Sequence, residues 1–280
     1  MVPVLAPLAL WHIGASISWT SFTVHWSTVI GLLTLAALYE WRARRPIGHR
    51  RALFYAGLGV VFLSLNGWLH DLSDWYLFSA HMVQHLLLTL LVPPLLIAGT
   101  PGWMLRPALQ FRAVAAVAGF LTNPKVCFAA FNLVLAAWHV PELYNTAMAN
   151  HYVHITQHLM FMAAAVMLWW PILSPLPELP RLAYPMQMLY LFLTTLPMSV
   201  VAVYITYSDN LLYPAYAAAP RILGILPLED QVIGGLIMWI PGGLIFFAVI
   251  GVIFFRWQQH GEDTVAAAQV DWQPAAPPHP

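Results

Sequence analysis

The chain has 280 residues, of which 60% are hydrophobic, 14% aromatic and only 8% charged, against roughly 25% charged in soluble domains. Its formal net charge of zero excludes the basic footprint of a nucleic-acid binder, and its one cysteine, Cys127, excludes a disulfide framework and a cysteine-rich metal site. What remains is an all-α, polytopic membrane helix bundle with room for about seven spans joined by short loops.

Residues 1–23 carry neither a basic n-region nor a clear small-residue cleavage site, and read as a retained outer flank. Hydropathy then predicts a seven-helix transmembrane domain over residues 24–257. The first span covers 24–41 and stops at Arg42, Arg44 and Arg45; the second covers 52–69 and ends in Trp68-Leu69-His70-Asp71. The third, 76–98, opens with His81 and His85 and is interrupted by Pro93-Pro94. A segment with Arg106, Arg112 and Lys125 follows, apolar enough between 106 and 121 to lie along the interface. The fourth span, 126–140, ends in Trp138-His139-Val140-Pro141, and the fifth, 152–173, starts beside His151 and carries His154 and His158. The sixth covers 184–204. A longer polar loop with Asp209, Arg221 and several tyrosines leads to the seventh, 230–255, which closes at Arg256. Residues 258–280 read as a disordered tail, rich in alanine and proline.

Seven spans with an outer N-terminus place ten of the eleven lysines and arginines on the inner side, leaving only Arg221 outside. That asymmetry is the positive-inside signature and puts the C-terminus in the cytoplasm. On the same map nine of the twelve histidines fall on the outer side or in the outer half of a span. His81 and His85 share a helix face at i,i+4, and His151, His154 and His158 share another at i, i+3 and i+7. At about 1.5 Å per residue, His85 and His158 lie no more than roughly 10 Å below the outer surface. Buried imidazoles are costly without partners, so two stripes at one depth point to a metal. His81, His85, His154 and His158 are the expected ligands, with His151 and His139 at the rim. Asp71, Asp230, His70 and Met238 are expected behind them, and Asp74 and Glu142 are further oxygen donors nearby. His12 and His25 read as flank. Imidazole suits copper, zinc, iron and nickel, while thioether favours Cu(I); copper is the first choice and zinc the second. The breakers Pro93-Pro94, Pro171, Pro197 and Pro241-Gly242-Gly243 either widen the outer half into a cavity or are tolerated kinks.

Two other readings compete. Histidines on two spans could hold haem b in a membrane cytochrome, although a bis-histidine haem would leave several imidazoles unused. A copper or proton transporter would need polar groups in the inner half as well, where Thr194, Thr195 and Asn132 are the few present. No nucleophile–base pair suggests an enzyme.

Specific strings then carry a likeness. His81-Met82-Val83-Gln84-His85 with Pro93-Pro94-Leu95-Leu96 and Gly99-Thr100-Pro101 resembles the signature of the CtaG family of multi-span cytochrome c oxidase (caa3-type) assembly factors. The likeness extends to Trp138-His139-Val140-Pro141-Glu142, to His158, to Trp169-Trp170-Pro171, and to Asp230-Gln231 followed by Gly234-Gly235 and Pro241-Gly242-Gly243. One departure is Gln157, where the family pattern has an acidic residue before the histidine. The resemblance implies maturation of copper centres in a haem-copper oxidase, oxidase subunits or another copper chaperone as partners, and a multi-pass place in a bacterial plasma membrane.

Overall fold

The computed structural model describes residues 22–271, with side chains to residue 260. Every regular element among them is helical. Helix α1 (Trp26–Arg42) precedes the bent pair α2 (His49–Ser64) and α3 (Gly67–Trp75). Helix α4 (Phe78–Leu86) continues through a π-turn at Leu87–Leu91 into α5 (Val92–Gly99). A short α6 (Gly102–Leu105) and a 3-10 turn lead to α7 (Arg112–Leu121) and α8 (Pro124–His139). Then come α9 (Pro141–Ala149), α10 (His151–Leu173), α11 (Tyr184–Thr206) and α12 (Pro227–Asp271).

The starts and bends have local causes. Asn123 caps α8 by accepting the Lys125 N–H at 3.0 Å, and Asn150 caps α10 by accepting those of Tyr152 and Val153 at 3.0 and 3.3 Å. Proline stands in the first turn of α8, α9 and α11, where no N–H partner is lost. Gly67 has a φ of 65°, a conformation that ends α2 and turns the chain by 45° into α3. The π-turn answers Pro93. A proline there cannot donate to the carbonyl of Thr89, and the indole N–H of Trp169 from α10 does so instead at 2.9 Å. Gly234 lets α12 close on α4, since a side chain there would overlap the Phe78 ring.

Contacts between elements define two ends. At one end Arg51 pairs with Glu40 at 3.1 Å, Arg106 with Glu178 at 2.6 Å, and the Tyr39 hydroxyl donates to Gly99 O at 2.9 Å. Trp41, Arg42, Arg44, Arg45, Trp103 and Met104 line one pocket there. At the other end the Thr23 hydroxyl donates to Asp71, that of Tyr216 to Ser73 O at 2.7 Å, and that of Tyr213 to His139 O at 2.9 Å. The segments with Arg42, Arg44, Arg45, Arg51 and Arg106 and the clustered histidines therefore sit at opposite ends. Between them lies a core of Phe131, Leu168, Trp169, Leu191, Phe246 and their neighbours. The outward faces stay apolar: Ile30, Leu33, Leu133, Val200 and Leu244 are all more than 60% exposed, as helices facing lipid require.

Among the described residues, four helices are long and apolar enough to cross a membrane, or six if each of two bent pairs is one span, against seven expected from hydropathy. The second expected span is broken at Gly67, α1 has only 17 residues, and the fourth is short unless α7 joins it across a 65° bend. The described helix of the last span runs to Asp271, through Ala266-Ala267-Ala268, which favour helix; residues 272–280 lie outside the described residues.

Candidate metal centre

Four helices build one buried cluster of imidazoles. α4 supplies His81 and His85, α10 supplies His154 and His158, α8 ends in His139, and α3 brings His70 and Asp74. The ring centroids of His81 lie 4.3 Å from His85, 5.6 Å from His154 and 5.8 Å from His158. His85 lies 5.3 Å from His158, and His154 4.5 Å from His158. One ligand atom each from Asp74, His81 and His154 fall within 4.8 Å of one another. His154 Nε2 and His158 Nε2 are 2.9 Å apart.

Burial makes this arrangement chemically unusual. His81 is fully buried, and His85, His139, His154 and His158 are each less than 8% exposed. Both ring nitrogens of His81 and of His85 have no hydrogen-bond partner, nor do His139 Nε2 and His158 Nδ1. An unsatisfied buried polar group costs about 1–3 kcal/mol, so six such nitrogens in one cluster are a standing cost that a metal ion, taking one nitrogen of a ring, would lower. Nitrogen and carboxylate donors within a few ångströms are the donor chemistry of a transition-metal ion.

Partners behind the rings set their orientation. Gln84 Nε2 donates to Ser64 O at 2.6 Å and faces His70 Nδ1 at 3.2 Å, while its Oε1 accepts from the Ser73 hydroxyl at 3.1 Å. With Nδ1 as the acceptor, His70 carries its proton on Nε2, which faces Asp74 Oδ2 at 3.4 Å. The same carboxylate oxygen lies 3.6 Å from His154 Nδ1, leaving His154 Nε2 for the cluster. A carboxylate behind an imidazole is a common way of holding a metal-binding ring.

Each expected site residue can be located. His81, His85, His154 and His158 are brought together. His151 is exposed at the start of α10 and lines, with Asp74, Trp75, Met148 and His154, a surface pocket of about 410 Å³. That pocket links the cluster to solvent. His139 is not at a rim. It is buried beside His85, ring to ring 6.2 Å, with Nδ1 2.7 Å from Leu135 O, because α8 ends at the cluster. Asp71 is turned away toward Thr23. Asp230 touches no histidine and instead accepts from the N–H groups of Phe78 and Ser79 at 2.6 and 3.2 Å, capping α4 from α12. Met238 lines a small cavity beside His85. His12 lies outside the described residues. His25, read as flank, packs edge-on against His70 at 4.4 Å. Sequence reasoning placed Asp74 only among nearby oxygen donors. The i,i+4 spacing of His70 and Asp74 is the signal that marks it as part of the cluster.

A second layer of aromatics walls the site. The Tyr144 and Tyr216 hydroxyls meet at 2.8 Å, and Tyr144 stacks edge-on to His81 at 5.3 Å. Burial lifts the loop hydroxyls of Tyr213 and Tyr216 above the ordinary phenol range, so both stay protonated donors.

Fold and site together define an all-helical membrane protein with a buried, histidine-rich candidate metal centre near one end. A family model described as cytochrome c oxidase caa3 assembly factor (Caa3_CtaG) matches residues 8–260, and the chain belongs to that family. No curated protein and no solved structure matches it.

Proposed function

We propose that this protein serves haem-copper oxidase assembly by holding copper at the cluster of His81, His85, His154 and His158 and releasing it to an oxidase subunit or a partner chaperone. One observation carries the reading: six buried, unpartnered imidazole nitrogens converge from three helices beside a pocket that opens at the protein surface. Asp74 completes the donor set, either as a ligand or by fixing His154. Copper is preferred to zinc because the site's partners in the family's reaction are copper centres.

The same proposal includes topology. We read seven crossings of a bacterial plasma membrane, with the histidine end outside and the arginine loops and C-terminus in the cytoplasm. The contacts that gather the arginine loops at one end and the histidines at the other support it. A reporter fused after Arg256 is then cytoplasmic; a periplasmic signal there would overturn the map.

The haem alternative fits poorly, since the space beside His85 and His139 is a cavity of about 20 Å³, far below that of a porphyrin. A path through the bundle meets Leu168, Trp169 and Phe246, each buried and apolar. The deciding experiment joins metal analysis of the purified protein with oxidase assembly in a deletion strain carrying no second copy. Bound copper, and loss of copper-replete oxidase under copper limitation, support the reading. Normal oxidase and metal-free protein reject it.

A further inference from the structure

Beneath the imidazoles the structure holds a second, softer donor set. Met82 from α4, Met198 from α11 and Met238 from α12 converge on one small cavity, whose other lining includes His85, His139 and Phe161. The three methionines are each 3% exposed or less, and they come from three different helices. The cavity is about 20 Å³, close to the room one water-sized sphere needs. His85 and His139 line this space too, and both nitrogens of His85 and Nε2 of His139 are without a hydrogen-bond partner. Thioethers carry lone pairs but no proton, so they cannot donate to an unprotonated imidazole nitrogen, and they do not hold hard cations.

We propose that this cavity is a Cu(I) site, with the thioethers of Met82, Met198 and Met238 and a neutral imidazole of His85 or His139 as its donors. The inference rests on the proposed copper function and adds an oxidation state and a second position to it. Thioether and imidazole ligands select Cu(I) over Zn(II). The site is also uncharged and apolar, and the desolvation cost of an ion grows with the square of its charge, so a monovalent ion is far less penalised there than a divalent one. His85 belongs to both donor sets. Its ring lies 4.3 Å from that of His81 and 6.2 Å from that of His139, so an ion that stays on His85 can pass between the two donor sets by exchanging its other ligands. No electron is transferred in binding: copper enters and stays as Cu(I).

The test uses the full-length protein in detergent, loaded anaerobically with Cu(I) or, separately, with Zn(II). Copper-edge X-ray absorption on the Cu(I) form is expected to show sulfur as well as nitrogen neighbours. Protein labelled with selenomethionine is expected to show copper as a neighbour at the selenium edge, a readout that needs no substitution. Met198→Leu and Met238→Leu conserve volume; each is expected to weaken Cu(I) retention against a chelator at least tenfold and leave Zn(II) retention unchanged. Copper bound by nitrogen and oxygen alone, with no copper at the selenium edge, overturns this inference while the histidine site stands. Equal loss of Cu(I) and Zn(II) in both methionine variants, at unchanged melting temperature, also overturns it. Wild-type protein that binds neither ion overturns both the inference and the proposed function.

Discussion

Asp230 accepts the backbone N–H of Phe78 at 2.6 Å although the two are 152 residues apart. The carboxylate also takes the Ser79 N–H, so the first turn of α4, which has no side-chain cap of its own, is capped by α12. His81 and His85 stand one and two turns further along. Asp230 is 2% exposed, and buried hydrogen bonds to a charged group are worth about 1.5–3 kcal/mol each. Asp230→Ala is therefore expected to lower the melting temperature in detergent and to weaken metal binding by roughly 10- to 100-fold, acting through the pose of α4. Asp230→Asn keeps part of the cap and is expected to fall between. An alanine variant with wild-type melting and wild-type metal content would show that α4 is set by packing alone.

Protons compete with the metal at the site. A protonated imidazole cannot be a ligand, so affinity is expected to fall as pH drops into the range where the site's imidazoles take up protons. With two or more histidine ligands, the logarithm of Kd should change by about two or more per pH unit in the acid limb. His81→Ala should reduce that slope and His25→Ala should not, because His25 touches His70 and not the metal-facing rings. A titration of chelator competition against pH measures both. A slope of one or less in the wild type would mean that a single imidazole binds.

The histidine stripes were legible because i,i+4 and i,i+3 spacings fix which side chains share a helix face, and burial in a membrane leaves imidazoles few other uses. What the sequence could not order was position across helices. Asp71 and Asp74 are three residues apart near the end of one helix, yet Asp71 faces Thr23 and Asp74 faces His154. The difference depends on the turn at Gly67, a φ of 65° that hydropathy does not register. Asp230 fell within reach of the outer end by depth, but which helix it touches follows from α12 packing on α4 at Gly234. The span count blurred for a related reason: a bent span has no single apolar window.

Gln157 gives a third expectation. It is fully buried, and neither of its amide atoms has a partner. An apolar side chain of similar length removes that unsatisfied pair, which is worth about 1–3 kcal/mol. Gln157→Met is accordingly expected to raise the melting temperature of the metal-free protein. Thermal unfolding in detergent after chelator treatment measures it, and a clear fall would show that the amide has a partner such as a bound water.

The last expectation concerns the break in the α4–α5 helix. Pro93 leaves Thr89 O without its helical donor, and Trp169 Nε1 takes that place at 2.9 Å. The Thr89 hydroxyl meanwhile donates to His85 O at 2.6 Å, so the same residue links the break to the carbonyl of a candidate ligand. Trp169 is 1% exposed and stacks on Phe246 with ring centroids 5.9 Å apart. Trp169→Phe keeps an aromatic ring in that stack but deletes the donor, leaving a buried carbonyl unpaired at a cost of about 1–3 kcal/mol. Pro93→Ala restores an N–H at the break, so the double variant is expected to recover part of the loss. Melting of the two single variants and the double variant forms a cycle, and a double variant no more stable than the sum of the singles predicts would mean that the indole acts by packing alone.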